Sequence, residues 1–127
     1  VNRKPVNASD APAATGGYSQ AVEIVDAKRL LFISGQVPVT AEGQVPEAFR
    51  AQCRLAWANV DAQLRAAGMS LDNLVKVTTF LSDRRFADEN GAVRREVLGT
   101  CTPALTVIVA GIFDPAWLVE IEAIAAM

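Results

Sequence analysis

The sequence predicts an α+β domain in which two helices pack on one face of a mixed β-sheet. Three observations carry that expectation. Short apolar stretches rich in β-branched residues alternate with two longer segments of helical periodicity. Their order reads strand, strand, helix, strand, helix, strand, strand. No repeat and no interior linker divides the 127 residues, so residues 1–127 are expected to form a single domain. A chain of this length buries roughly two-thirds of its unfolded surface and needs neither metal nor disulfide to fold.

Residues 1–14 (VNRKPVNASDAPAA) hold two prolines and several turn formers, and read as an arm leading into the first strand. Tyr18–Val25 alternates loosely and is the first expected strand. Leu30–Ser34 (LLFIS) is the second, beyond a polar turn at Asp26–Arg29. Pro46–Ala67 is the clearest helix, because Phe49, Cys53, Ala56, Val60, Leu64 and Ala67 recur at spacings of three and four. Pro46 suits its first position and Gly68 its C-terminal cap. Trp57 lies off that stripe and predicts a second contact surface. Leu74–Leu81 (LVKVTTFL) is a strand, and Asp83 is placed to cap a helix over Arg84–Leu98 despite Asn90–Gly91. Two strands, Ala104–Ala110 and Leu118–Ala125, complete the set. Their apolar character predicts that another subunit covers the sheet face opposite the helices.

Composition excludes several functions. There is no histidine, which removes Ser-His-Asp and Cys-His triads and most zinc sites. The net charge is −2. The basic dipeptides Arg3–Lys4, Lys28–Arg29, Arg84–Arg85 and Arg94–Arg95 are scattered, which reads as solvated surface charge and gives no nucleic-acid stripe. Two cysteines, Cys53 and Cys101, make no disulfide framework and fit reduced thiols in the cytoplasm. Neither a signal peptide nor an apolar run near 18 residues is found, so export and membrane spanning are not expected.

The residues that could carry chemistry are few. Tyr18 and Ser19 stand where a strand enters the core, and Ser34 directly precedes Gly35, whose missing side chain permits close approach. Asn90–Gly91 is equally a turn or a helix irregularity. Glu120 and Glu122 are two apart on a strand, so they share one face while Val119, Ile121 and Ala123 take the other. If a neighbour caps that face, one carboxylate becomes a desolvated candidate base. Cys101, ahead of Thr102–Pro103, has no histidine to activate it.

Taken together, GGYSQAV after Ala11–Pro12, LFISGQVP (31–38), LRAAGMSLDNLVKVTTFLSD (64–83), FADEN (86–90), TPALTVIVAG (102–111) and VEIEAIA (119–125) resemble the RidA (YjgF) family over nearly the whole chain. The resemblance implies a chorismate-mutase-like α+β fold that forms a homotrimer with ligand clefts between subunits. It also implies hydrolysis of enamine or imine intermediates to 2-keto acids and ammonia, without metal or cofactor. Carried over by position, Glu120 is the catalytic, water-positioning glutamate. Tyr18, Ser34, Asn90, Leu105 and Cys101 are the expected ligand-binding residues.

The departures narrow the expectation. Family deaminases carry an arginine that binds the substrate carboxylate where this chain has Leu105, within Pro103-Ala104-Leu105-Thr106. That change removes a planar bidentate partner, a loss of about 10²-fold in affinity. Val93 stands where the family has an aromatic residue, and Gly17 where it has proline. The chain thus resembles the branches that lack the arginine, and the sequence leaves open whether Arg94 or Arg95 replaces it. The expected activity is a cofactor-independent enamine/imine deaminase or hydrolase acting on a small metabolite other than a simple amino-acid-derived imine. The alternatives are a non-catalytic metabolite-binding trimer and the ribonuclease or translation-inhibitor activity attached to some relatives.

Overall fold

Two strand–helix–strand crossovers build the main sheet. The computed structural model describes residues 1–127. An antiparallel pair, β1 (Asn2–Val6) and β2 (Ala21–Val25), forms a separate two-stranded sheet. β3 (Leu30–Gln36) leads through α1 (Phe49–Ala66) to β4 (Leu74–Leu81). From there α2 (Ala87–Leu98) leads to β5 (Ala104–Val109), and the chain returns as β6 (Val119–Ala126). The strand order is β3-β6-β4-β5, so the last strand is laid between two earlier ones. β6 is antiparallel to both neighbours, whereas β4 and β5 are parallel.

Residues 1–14 do not form the simple arm the sequence suggests. Asn2–Val6 is a strand, in register with Ala21–Val25. All of its residues are exposed, so no face is buried and no alternation marks it in the sequence. Pro5 is tolerated because the strand lies at an edge. The strand expected from Tyr18 begins at Ala21, since Tyr18–Gln20 belong to a loop pinned elsewhere.

The elements form for local reasons. α1 buries Phe49, Gln52, Cys53, Ala56, Trp57, Val60 and Leu64, so Trp57 widens the apolar stripe into the core. Its C-terminus closes as a Schellman motif. Gly68, at φ +73°, donates to the Arg65 carbonyl at 3.0 Å, and Met69 donates to that of Leu64 at 2.8 Å. The N-terminus differs from expectation. Pro46 precedes the helix, and its carbonyl is used by Gln52 instead of entering the first turn. Asp83 accepts from the Arg85 amide at 2.9 Å and caps a short 3₁₀ turn, Arg84–Phe86, that runs into α2. Asn90 and Gly91 are both buried inside α2 and do not interrupt it.

The core lies between the helices and one sheet face. Val119, Ile121, Ala123 and Ala125 of β6 join Val77 and Leu81 of β4 against Cys53, Ala56, Val60 and Leu64. The other face carries Leu30 (58% exposed), Phe32 (70%) and Ile108 (43%) beside the half-buried Ile124. These apolar side chains are not covered within one chain, and they share the face with Glu120, Glu122 and Lys76.

One buried polar side chain ties the loops to this core. Gln52 Nε2 donates to the carbonyls of Pro46 at 2.8 Å and Ala116 at 2.9 Å, and its Oε1 accepts from the Leu118 amide at 2.8 Å. It thereby sets the position at which β6 enters the sheet. Replacing it by leucine keeps the volume but strands these buried partners. Gln52→Leu is expected to lower the unfolding free energy by about 2–4 kcal/mol in a denaturant titration.

Candidate functional site

The candidate residues gather in two places at opposite edges of the main sheet. The first lies where β3 meets β6. Ile33 pairs with Ala123 and Gln36 with Ile121, so Ser34 and Gly35 together face Glu122 alone. This extra residue is a β-bulge, which bends the strand and re-aims its side chains. The consequence is a close approach between Gly35 and Glu120. A Cβ built on Gly35 would overlap the Glu120 carboxylate and lie 2.8 Å from its carboxyl carbon. Gly35 thus leaves the space that the Glu120 side chain occupies, and a larger residue there would have to push that side chain aside. As expected from their spacing, Glu120 and Glu122 share the face away from the helices, while Val119, Ile121 and Ala123 are buried on the other.

Beside the bulge is a concavity of about 400 Å³ lined by Phe32, Ser34, Lys76, Thr78, Glu122 and Ile124, among others. Lys76 Nζ donates to Thr106 Oγ1 at 2.6 Å across β4 and β5, which ties the polar side chains of this face together.

The second place is the groove between α2 and the edge strand β5. The loop Gly16–Gln20 is fastened to the start of β5. Ser19 Oγ donates to the Thr102 carbonyl at 2.7 Å, and the Ser19 amide donates to that of Pro103 at 3.1 Å. Ser19 is thus structural, and it delivers the half-buried Tyr18 toward α2. Gln20 turns away, its Nε2 donating to the Pro12 carbonyl at 3.0 Å. Asn90 is 2% exposed, and its Oδ1 accepts from the Cys53 thiol at 3.8 Å. Burial, then Glu89, pushes that thiol up to about 12, so Cys53 stays protonated and can remain the donor. Asn90 also lines the groove, so it meets that space with its Oδ1 already engaged by the thiol.

Asn90, Gly91, Arg94, Arg95 and Val107 line about 390 Å³ of this groove. Arg94 corrects the reading of the basic dipeptides as surface charge, because it is 7% exposed whereas Arg95 is open to solvent. A helical partner of Asn90 at i+4 necessarily shares its face, which was the available signal. Arg94 Nη2 donates to the Gly16 carbonyl at 3.0 Å, and its Nε is buried without a partner. Burial draws the Arg94 pKa down and Arg95 adds to that, with Tyr18 acting in the opposite sense. Gly17, at φ +71°, lies under the Arg95 side chain, so a glycine suits that position on two counts.

Leu105 and Cys101 stand apart from both places. Leu105 is half-buried and packs against the hydrophobic core, leaving Val107 to line the groove. Cys101 Sγ donates to Asp72 Oδ1 at 2.9 Å in a separate concavity with Arg3 and Val22. Its thiol is pushed up to about 11 by burial first and by that hydrogen bond second. No group of three or more His, Cys, Asp or Glu side chains is arranged to share a metal ion.

The Gly35–Glu120 approach generates a prediction. Gly35→Ala is expected to displace the Glu120 side chain and to cost about 1–3 kcal/mol of stability, as overpacking does. Glu120→Ala in the same background removes the obstacle. A double-mutant unfolding cycle should therefore recover at least half of the loss, and additive effects would show that the two residues do not compete for space.

Comparison with known proteins agrees with this geometry. The sequence model of the family described as Endoribonuclease L-PSP matches residues 8–127. A RutC family protein of Pyrococcus horikoshii is 36% identical over 118 residues, which is 91% of each chain. The 2-iminobutanoate/2-iminopropanoate deaminase of Bos taurus is 37% identical over 125 residues, covering 97% of this chain and 89% of that protein. Among solved structures, the Rid-family protein YyfB of Yersinia pestis superposes with a TM-score of 0.88 at 28% identity, covering each chain completely. A helix-backed mixed sheet with a bulged β3 over Glu120, matched in sequence across all but the first seven residues, makes this chain a member of the RidA (YjgF) family, the family described as Endoribonuclease L-PSP.

Proposed function

We propose that this protein hydrolyses a reactive enamine or imine of a small metabolite, without a cofactor, in clefts formed between the subunits of a homotrimer. The observation that carries the reading is the division of the polar residues. Ser34 and Glu120 lie at the β3–β6 bulge, whereas Asn90 lines the α2–β5 groove on the opposite edge of the sheet, with Tyr18 following the Gly17 that packs under Arg95. One chain holds the halves apart, and the exposed Leu30, Phe32 and Ile108 support docking of neighbouring chains as the way they are brought together. The bovine relative's name, an imine deaminase, supports the reaction class. Two free thiols support a cytoplasmic setting. No helix is long and apolar enough to cross a membrane.

The reaction assigns each half a task. A water adds to the C=N carbon while Glu120 takes one of its protons and passes it to nitrogen, and the same carboxylate then carries the hydroxyl proton of the carbinolamine to the amino group. The C–N bond then breaks, releasing ammonia and leaving the carbonyl product. Tyr18, Asn90 and Ser34 hold the ligand by hydrogen bonds, and the cleft excludes bulk water. Because Leu105 offers no cation on β5, simple amino-acid-derived imines are poor substrates.

The test is hydrolysis of the imine released from serine or threonine by a dehydratase. Glu120→Gln should lower turnover about 10²-fold or more with ligand affinity retained. Leu105→Arg should raise it above the natural sequence. If both proteins are inert while small ligands still bind, the chain is a binding trimer and the hydrolase reading is wrong. Salt-sensitive RNA binding would favour a ribonuclease role instead.

A further inference from the structure

Arg94 presents a physical problem. Its side chain is more than nine-tenths buried, and it enters no ion pair: the salt bridges of this chain are Arg50–Glu89, Arg54–Glu96 and Arg65–Asp61. Its sole hydrogen bond is neutral, from Nη2 to the Gly16 carbonyl, and Nε has no partner. A second guanidinium, Arg95, lies on the same groove, which increases the repulsion. Asp88 also lines the groove, but it is exposed and does not reach either arginine as a salt bridge. A buried cation without a counter-charge is costly, and the fold keeps this one beside a cavity large enough for a metabolite.

Starting from the hydrolase reading, we infer that the groove between α2 and β5 is a carboxylate-binding pocket, in which Arg94 is the anchoring cation and Arg95 a second cation at the rim. The pocket has the other parts that such a ligand needs. Asn90 lines it with its Oδ1 engaged by the Cys53 thiol, which leaves its amide N–H groups as the free donors. Gly91 has no side chain, and a Cβ there would lie 3.1 Å from Arg95 Nη1, so the helix surface stays open beneath the guanidinium. Val107 supplies an apolar wall. The anchor is also displaced. Val107 rather than Leu105 faces the pocket, and two residues along a strand span about 7 Å. The carboxylate bound here therefore lies away from position 105, which suits a ligand whose acid group is set apart from the reacting carbon.

The probes are 2-oxoglutarate, which has a distal carboxylate, 2-oxobutanoate, which does not, and the neutral 2-pentanone. Binding is measured by calorimetry on the assembled natural protein, Arg94→Met, Arg94→Lys and Arg95→Gln. The expected result is that 2-oxoglutarate binds best and 2-pentanone does not bind. Arg94→Met should lose at least tenfold, Arg94→Lys should retain part of the affinity, and Arg95→Gln should lose a few-fold. Thermal unfolding adds a readout that a merely structural role would not move. Without ligand, Arg94→Met should melt no lower than the natural protein, because an unpaired buried charge has gone, and it should lose the rise that 2-oxoglutarate induces. Two results overturn the inference: neither carboxylate binds the natural protein, or both bind Arg94→Met and Arg94→Lys as tightly. Failure of the hydrolase reading looks different, since 2-oxoglutarate would then bind through Arg94 while no imine is turned over.

Discussion

The structure depends on one constraint, that the final strand is paired on both sides. β6 lies between β3 and β4, so the sheet is incomplete until the last residues of the domain arrive. Its four helix-facing residues, Val119, Ile121, Ala123 and Ala125, are all in the core, which fixes the register because a slip of one would bury Glu120 and Glu122 instead. Gln52 enforces that register from α1 by holding Ala116 and Leu118 at the strand entrance. The carboxylates are thereby aimed away from the helices by the same pattern that fills the core. The placement of Glu120 is a by-product of packing, refined by the bulge at Ser34-Gly35.

Each half of the candidate site departs from what stability alone would select. At the bulge, a glycine leaves room for a carboxylate to lie against the backbone, although glycine inside a strand weakens it. In the α2–β5 groove, a guanidinium is buried without an acid and a buried asparagine is oriented by a thiol. Such local costs persist where function requires them and where the surrounding core over-determines the geometry. Here the core does so from both sides, since α1 supplies Cys53 to Asn90 and Gln52 to β6.

Much of the scaffold was legible because its signals are local. The spacing from Phe49 to Leu64 predicts α1, Gly68 predicts its end, and the β-branched run Leu74–Leu81 matches β4 at both boundaries. Asp83 was legible as a cap, though of a 3₁₀ turn preceding the helix. β1 was not legible, since a strand with both faces in water leaves no periodic trace. The Glu120–Glu122 alternation could be read directly, whereas the separation of Tyr18 and Asn90 from Ser34 and Glu120 could not. That separation follows from strand order, a long-range property with no local marker. Arg94 shows the same limit in miniature. Adjacent to Arg95 in sequence it looks like solvated charge, yet a rotation of 100° per residue buries one and exposes the other.

The division of the site also bears on how a fold of this kind changes its substrate. If Glu120 and the bulge handle water while the α2–β5 groove holds the ligand, the two tasks rest on different strands and different chain segments. A change on β5, where Val107 lines the groove, alters only the holding half. A change at Arg94 on α2 alters the same half, at a place reached from another element. Neither change touches the packing that aims Glu120, because β5 pairs with β4 alone and never meets β6. A substitution on β5 can therefore move the anchor without disturbing the strand that carries the carboxylate. On this arrangement, substrate choice is free to vary at the β5 edge of the sheet while the water-handling centre stays fixed at the β3–β6 seam.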